Sequence, residues 1–342
     1  MRALVFRCTI SAVAILTAAS CTGQGGPALP SGIPASALHR IAPDKRGSVK
    51  FFEDTFGDPV PDGITAGPDG ALWFTDPGND VIGRVTIKGV YTLQQPAGVE
   101  VSDGITTAPD NALYFTAAQS NAQIGKITTD GTVTLFADPG GSYPQGITVG
   151  LDGALWFAES NGTVGRMDTS GNVKHFTVAA SNAELEGIVT GPDGNLWVTE
   201  YIVGGTRFAN KVIRLTTSGK HKAFTVGSGP QFICVGPDNA LWFSESGAGA
   251  IGRITTSGKY EHFSVGLSYS IPNGIAAGPD HSLWFTDSGV HAIGRMTIKG
   301  KVKLYVIRSG LPELEQIAAG PDGRMWFTSA LPAAVGRITV GK

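Results

Sequence analysis

Asp62-Gly-Ile-Thr-Ala-Gly-Pro-Asp-Gly-Ala-Leu-Trp-Phe-Thr-Asp76 is written seven times along this 342-residue chain, with small changes of wording. Anchored on the aspartate of its central turn, the copies fall at Asp69, Asp110, Asp152, Asp193, Asp238, Asp280 and Asp322, spaced by 41, 42, 41, 45, 42 and 42 residues. Self-similarity at a period of roughly 40–45 residues is the signature of propeller blades. Inside the first copy, Gly63–Gly67 has the form of a short strand, Pro68-Asp-Gly70 of a tight turn, and Ala71–Thr75 of a second strand. Proline presets φ in such a turn and glycine takes its left-handed position. A polar loop leads to a third strand, Ile82–Thr86, and Ile87-Lys-Gly89 turns the chain into a fourth, Val90–Leu93. Four antiparallel strands make one blade, so the expected fold is an all-β, seven-bladed propeller with almost no helix.

The two ends of the array complete each other. The chain finishes on a third strand, Ala334–Thr339, with no fourth after it, whereas Ser48–Phe52 has the form of a fourth strand with no blade before it. Pairing these fragments closes the ring and leaves no ragged edge. One large-residue position repeats on the second strand, as Trp73, Tyr114, Trp156, Trp197, Trp242, Trp284 and Trp326. The same register in every copy points to wedges between sheets rather than to a ligand platform. A third-strand arginine (Arg84, Arg166, Arg214, Arg253, Arg295, Arg337) is expected to answer a carboxylate or carbonyl within or between blades.

Bulk composition agrees with a turn-rich β chain: 48 Gly and 20 Pro with 16% charged residues. A net charge of −2, with Lys and Arg spread along the repeats, gives no footprint for nucleic acid. Cys234 is the lone thiol of the repeats, flanked by Phe232, Ile233 and Val235, and is expected to be a small buried hydrophobe.

Ahead of the repeats, Arg2 and Arg7 flank an apolar run, Ile10–Ala19, that leads to Ala18-Ala-Ser-Cys21. The run is too short to span a membrane and has the form of an export leader. Small residues before a cysteine resemble a lipobox, so lipidation of Cys21 is expected, placing the protein at the cell surface or in the periplasm. Residues 1–21 are thus assigned to the leader, 22–43 to a Gly/Pro/Ala/Ser tether, and 44–342 to the propeller, expected to be a monomer that meets the membrane only through its lipid.

Chemistry is expected at the mouth of the propeller channel, where the innermost strands begin. The residue before Gly-Ile in each copy, or its equivalent, is Asp62, Asp103, Gln145, Glu186, Gln231, Asn273 and Glu315. All seven are polar and four are carboxylates, a donor set for Mg²⁺ or Ca²⁺ or for a cationic or polyhydroxyl small molecule, or a cell-envelope partner. Crowded carboxylates also raise one another's pKa values. Tyr143, Tyr269, Tyr201, Arg207 and His291 are further candidates on loops of the same face, with His291 the one histidine expected near the mouth. His175, His221 and His262 fall on or beside outer strands, and His281 in a turn at the opposite face.

The repeat as a whole, Gly-Ile-Thr-x-Gly-Pro-Asp-Gly-x-Leu-Trp-Phe-Thr followed by Ile-Gly-Arg-Ile-Thr, resembles the streptogramin lyase family over residues 44–342. The resemblance implies a seven-bladed propeller and Mg²⁺-assisted opening of a cyclic depsipeptide by elimination. It implies a metal-binding Glu and a basic His at the start of the last blade, where this chain has Glu313 and Glu315. A second metal-binding Glu of the family corresponds to Ala330, and a further active-site His to Asn273. Two expectations therefore stand side by side. One is a binding protein without the full lyase site. The other is a metal-dependent lyase, or a lactonase-type hydrolase, with Glu313 and Glu315 as metal ligands and Glu315 or His291 as base.

Overall fold

In the first blade Gly70 takes the left-handed conformation (φ 74°), while Gly67 N–H donates to the Ala71 carbonyl at 2.8 Å and Gly70 N–H to that of Gly67 at 3.3 Å. These bonds close the hairpin that the Pro-Asp-Gly wording demands. Where glycine is replaced, Asn111, Asn239 and His281 hold φ between 56° and 58°. Asparagine tolerates this region; histidine pays more for it.

The computed structural model describes residues 48–53, 59–117, 122–202, 210–308 and 311–340. The expected leader, Cys21 and tether lie outside the described residues, as do Arg207 and the side chain of Tyr201. The described strands form seven four-stranded antiparallel sheets, and the one helical element among them is a single 3-10 turn, Ser246–Ala248. Blade 1 is Ile64–Ala66, Ala71–Asp76, Val81–Thr86 and Tyr91–Gln94, from the channel outward. Blade 7 takes its outer strand from the start of the chain: Val49–Glu53 pairs antiparallel with Ala334–Ile338, Phe51 opposite Gly336. The closure expected from the two fragments is therefore present.

Seven apolar clusters occupy the seven seams between neighbouring blades. The six tryptophans are exposed by 1% or less, and truncating one to alanine would cost about 3–5 kcal/mol. In blade 7 the borrowed strand contributes Phe52, which stacks on Trp326 with centroids 5.4 Å apart. In blade 3, Phe176 stacks on Trp156 in the same way, at 5.4 Å.

The recurrent turn aspartate proves to have a second role. In blade 6, Asp280 accepts the Trp284 indole N–H at 2.9 Å and the Arg295 Nε–H at 2.6 Å. Asp69, Asp152 and Asp238 repeat this clasp with Trp73 and Arg84, Trp156 and Arg166, and Trp242 and Arg253. These bonds hold the four carboxyls below the ordinary aspartate range against the opposing effect of burial. Arg214 and Arg337 instead reach across a seam to the carbonyls of Thr256 and Ile87. Carboxylate and carbonyl partners thus both occur.

Candidate functional site

The inner strands enter the channel through a kink. In blade 3 the pairing of Pro144–Val149 with Leu155–Glu159 skips between Pro144 and Ile147, leaving Gln145 and Gly146 unpaired. The same irregularity frees Asp103, Glu186, Gln231, Asn273 and Glu315. A bulge leaves its extra residue out of the ladder and re-aims the side chain. That is how six of the polar residues come to line the channel, Asp62 preceding its strand instead, while Ile64, Ile147, Ile188, Ile233, Ile275 and Ile317 beside them stay buried.

Glycine after the mouth residue sets how narrow the ring can be. A Cβ on Gly63 would lie 1.9 Å from the Asp103 carbonyl oxygen, and one on Gly104 2.2 Å from that of Gln145. Neighbouring inner strands therefore touch backbone to backbone. The threonine of Leu-Trp-Phe-Thr ties them together: Thr75 Oγ1 accepts from Gly63 N–H at 2.9 Å and donates to the Asp103 carbonyl of blade 2 at 3.1 Å. Thr199, Thr286 and Thr328 make the same link to the carbonyls of Gln231, Glu315 and Asp62, the last joining blade 7 back to blade 1. Ala158 stands at this position in blade 3.

Asp62, Asp103, Glu186 and Glu315 converge closely enough to repel one another. Burial, reinforced by Asp103, Glu315 and Glu186, lifts the Asp62 carboxyl well above its usual range. Burial and the charges of Asp103, Glu184 and Glu315 push Glu186 up to about 8. Glu315 rises to about 7, chiefly through burial and against the Asn273 amide, which donates to its Oε2 at 2.8 Å. Asp62 Oδ1 and Glu186 Oε2 are buried atoms with no hydrogen-bond partner. Two buried carboxyl oxygens thus lack hydrogen-bond partners, each at a cost of about 1–3 kcal/mol.

Other candidates stand apart from this cluster. Glu313 is exposed at the edge of blade 7, near enough to Glu315 to raise its pKa. His291 holds a left-handed backbone (φ 51°), and its Nδ1 lies 3.0 Å from the Pro312 carbonyl oxygen. The ring is thereby fixed to the strand entry of blade 7, one residue before Glu313. Tyr143 and Tyr269 are exposed, by 53% and 57%. Cys234 is partly rather than fully buried, packed against the blade 5–6 seam, and desolvation pushes its thiol up to about 12.

A second ring of acids escaped the sequence reading. Asp76, Glu159, Glu245 and Asp287 end the second strands of their blades, Glu200 lies two residues before the end of its own, and all five are exposed by 1% or less. Each except Glu200, which pairs with Lys211 at 3.0 Å, accepts a backbone N–H from the loop entering its own blade: Val60 at 2.7 Å, Ser142 at 2.9 Å, Gly227 at 2.9 Å and Ile271 at 2.8 Å. These acids pin the loops that deliver the mouth residues. Their signal in the sequence was the Asp or Glu three residues after each Trp, present in five of seven blades.

Fold and site together define a seven-bladed propeller whose channel opens on clustered carboxylates. The chain belongs to the virginiamycin B lyase family, which matches residues 33–208 and 187–342. A streptogramin B lyase structure is 28% identical, with a TM-score of 0.78 over 86% of this chain and 98% of that one. A catalytically inactive histidine-to-alanine variant of virginiamycin B lyase from Staphylococcus aureus, solved with quinupristin, is 31% identical, with a TM-score of 0.79 over 86% of this chain and 100% of that one. A structure whose description proposes a gluconolactonase, 14% identical at a TM-score of 0.55, shares the fold alone. No curated protein matches.

The family implies Mg²⁺, and the two parts of the mouth answer differently. The two-glutamate arrangement expected at blade 7 does not fit: Ala330, 8% exposed, offers a methyl group where the second carboxylate is required. The central acids do fit an oxygen-loving cation by donor type and by their orphaned oxygens. No three of them bring oxygens within 4.8 Å of one another, so an ion held there would keep part of its water shell.

Proposed function

We propose that the protein is an exported member of its family that binds a cationic or polyhydroxyl small molecule, or a hydrated divalent cation, at the channel mouth, without the ring-opening chemistry of the lyases. The observation carrying this is the four-carboxylate cluster with orphaned oxygens on Asp62 and Glu186. Crowding holds these carboxyls back from ionising, and a positive or hydrogen-bond-donating guest favours their charged form; a ligand that binds only the folded ring stabilises it. The elimination chemistry needs a placed base and a metal that holds the developing enolate charge. Here Glu315 stands at the position of the basic histidine, Ala330 at that of a metal ligand, and the Asn273 amide holds Glu315. Losing an imidazole base and a metal ligand together costs on the order of 10⁴-fold or more in rate.

A second reading keeps an enzyme in play. Glu315, poised at about 7, has the proton affinity of a general base at neutral pH, and would serve a metal-assisted lyase or lactonase-type hydrolase with Glu313 beside it. Two measurements separate these readings. Titration with Mg²⁺ and Ca²⁺, followed by melting temperature, is expected to give a rise that Glu186→Gln weakens; a flat response sinks the cation proposal. Incubation with a streptogramin B followed by mass spectrometry of fragments is expected to leave the ring closed. A linear product formed at the rate of an efficient enzyme, and abolished by Glu315→Gln, would establish the second reading.

A further inference from the structure

We propose that Asp138, Glu159 and His175 form a binding site for a divalent transition cation of the zinc class, at the seam between blades 2 and 3 and separate from the channel mouth. Asp138 follows the outer strand of blade 2, Val133–Ala137; Glu159 ends the second strand of blade 3, Leu155–Glu159; His175 lies on its outer strand, Val173–Thr177. One ligand atom from each lies within 4.8 Å of the others. His175 is paired with Gly165 on the intervening strand, whose open face is covered by the Phe157 ring.

The local chemistry points to a missing cation. Glu159 is fully buried and Asp138 is 3% exposed, so two carboxylates share a space closed to water. Glu159 has partners: Ser142 N–H donates to Oε1 at 2.9 Å, and the Thr163 hydroxyl to Oε2. Asp138 has the His175 ring alone beside it, and neither of its buried oxygens accepts a well-aligned hydrogen bond. His175 Nε2 lies 2.8 Å from Asp138 Oδ1 and 3.6 Å from Glu159 Oε2, and it too lacks hydrogen-bond geometry. Ligands about 2.0–2.2 Å from a shared tetrahedral ion stand about 3.3–3.6 Å apart; the separation from Glu159 already falls there, and that from Asp138 has only to open by about half an ångström. Gly141 keeps the space open: a Cβ there would meet Asp138 Oδ2 at 1.9 Å and Glu159 Oε1 at 2.7 Å.

Blade 5 shows how the same position is built without a second acid. Glu245 there takes hydrogen bonds from Gly227 N–H at 2.9 Å and the Tyr260 hydroxyl at 2.6 Å, with His262 3.5 Å away. Both hydrogen bonds fall on Oε1, so Oε2 is left facing the His262 ring, but no second carboxylate shares the space. At the blade 2–3 seam Val173 stands at the position of Tyr260 and Asp138 at that of Val226, so a second buried carboxylate joins Glu159 before the imidazole. An imidazole with two carboxylates selects zinc, cobalt or manganese over Mg²⁺ and Ca²⁺, and the ring, 24% exposed, offers a route in from solvent.

The test uses the full-length chain, untagged and stripped with a chelator, titrated with ZnCl₂, CoCl₂ and MgCl₂ by calorimetry and, for cobalt, by visible absorption. One equivalent of Zn²⁺ or Co²⁺ is expected to bind, with a rise in melting temperature, while Mg²⁺ does not compete. His175→Ala and Asp138→Asn are each expected to weaken binding by more than the roughly 10- to 100-fold that loss of an outer-shell partner costs, and Glu186→Gln at the mouth to leave it unchanged. If His175→Ala misfolds by circular dichroism, His175→Gln, polar and nearer in size, takes its place. Failure of the wild-type chain to bind Zn²⁺ or Co²⁺, or equal binding by a folded His175 variant, overturns the proposal.

Discussion

Replacing Glu186 by glutamine keeps the shape of the side chain and removes one of the four mouth charges, which makes the cost of crowding measurable. Glu186 sits at about 8 in the folded protein, against 4.5 for an unperturbed glutamate, because burial and then Asp103, Glu184 and Glu315 oppose its ionisation. Between those two values the folded state binds more protons than the unfolded chain, so stability falls as pH rises. Three to four units at about 1.4 kcal/mol each set a ceiling near 5 kcal/mol. Glu186 is partly exposed, so solvent screens part of this, leaving about 2–4 kcal/mol above pH 8. For a chain of this size that is roughly 4–8 °C in melting temperature. Glu186→Gln is therefore expected to melt higher than the parent at pH 8.5, by that amount, and at the same temperature at pH 4. Differential scanning calorimetry in matched low-salt buffers reads both. A stabilisation of equal size at both pH values, or a loss at pH 8.5, would refute the electrostatic argument. Saturating Ca²⁺ is expected to shrink the gain, since a bound cation gives the parent the relief the mutation supplies.

Other parts of the molecule yield independent tests. Phe52→Ala should lower stability by about 3–5 kcal/mol in urea unfolding, because Phe52 is 8% exposed and stacks on Trp326; an unchanged midpoint would mean that the borrowed strand does not close the ring. Asp280→Asn should cost about 1–3 kcal/mol at pH 7, where it weakens the bonds to Trp284 and Arg295. Because the Asp280 carboxyl is held below its ordinary range, its stabilising effect is present above the unfolded pKa and is lost as pH falls through the folded one. The penalty of Asp280→Asn should therefore vanish in acid melts near pH 2, and a penalty that persists there would assign it to packing. Thr286→Val, which deletes the bond to the Glu315 carbonyl, should cost about 1 kcal/mol and weaken any Mg²⁺ or Ca²⁺ response more than a matching Thr→Val change at Thr107 on the outer part of an inner strand.

The parts of this fold legible in sequence were those that every blade must solve in the same way. Trp284, Asp280 and Arg295 recur because each seam needs a wedge and each wedge an anchored indole, and repetition makes such a need visible. The mouth residues were legible for the opposite reason: one position before Gly-Ile varied from blade to blade while its neighbours did not. What remained hidden joins residues that repetition does not link. The loop-pinning acids were quoted within the repeat, yet their partners, such as Val60 and Ile271, act through backbone N–H groups that leave no residue signature. Asp138 and His175 are far apart in sequence, on either side of a seam, and each alone resembles a solvated polar residue. The space where they meet depends on the absence of a side chain at Gly141.

The hydrogen bond from Thr328 to the Asp62 carbonyl spans 266 residues and belongs to both the seam and the mouth. A circular array tears most easily where its two ends meet, and here that join runs through the backbone of a channel acid. A guest gripping Asp62 together with Glu315 would act as a rivet across the join. Its occupancy would then appear as mechanical strength: a loaded propeller pulled by its termini should resist opening at higher force than an empty one, and lose its first blade later.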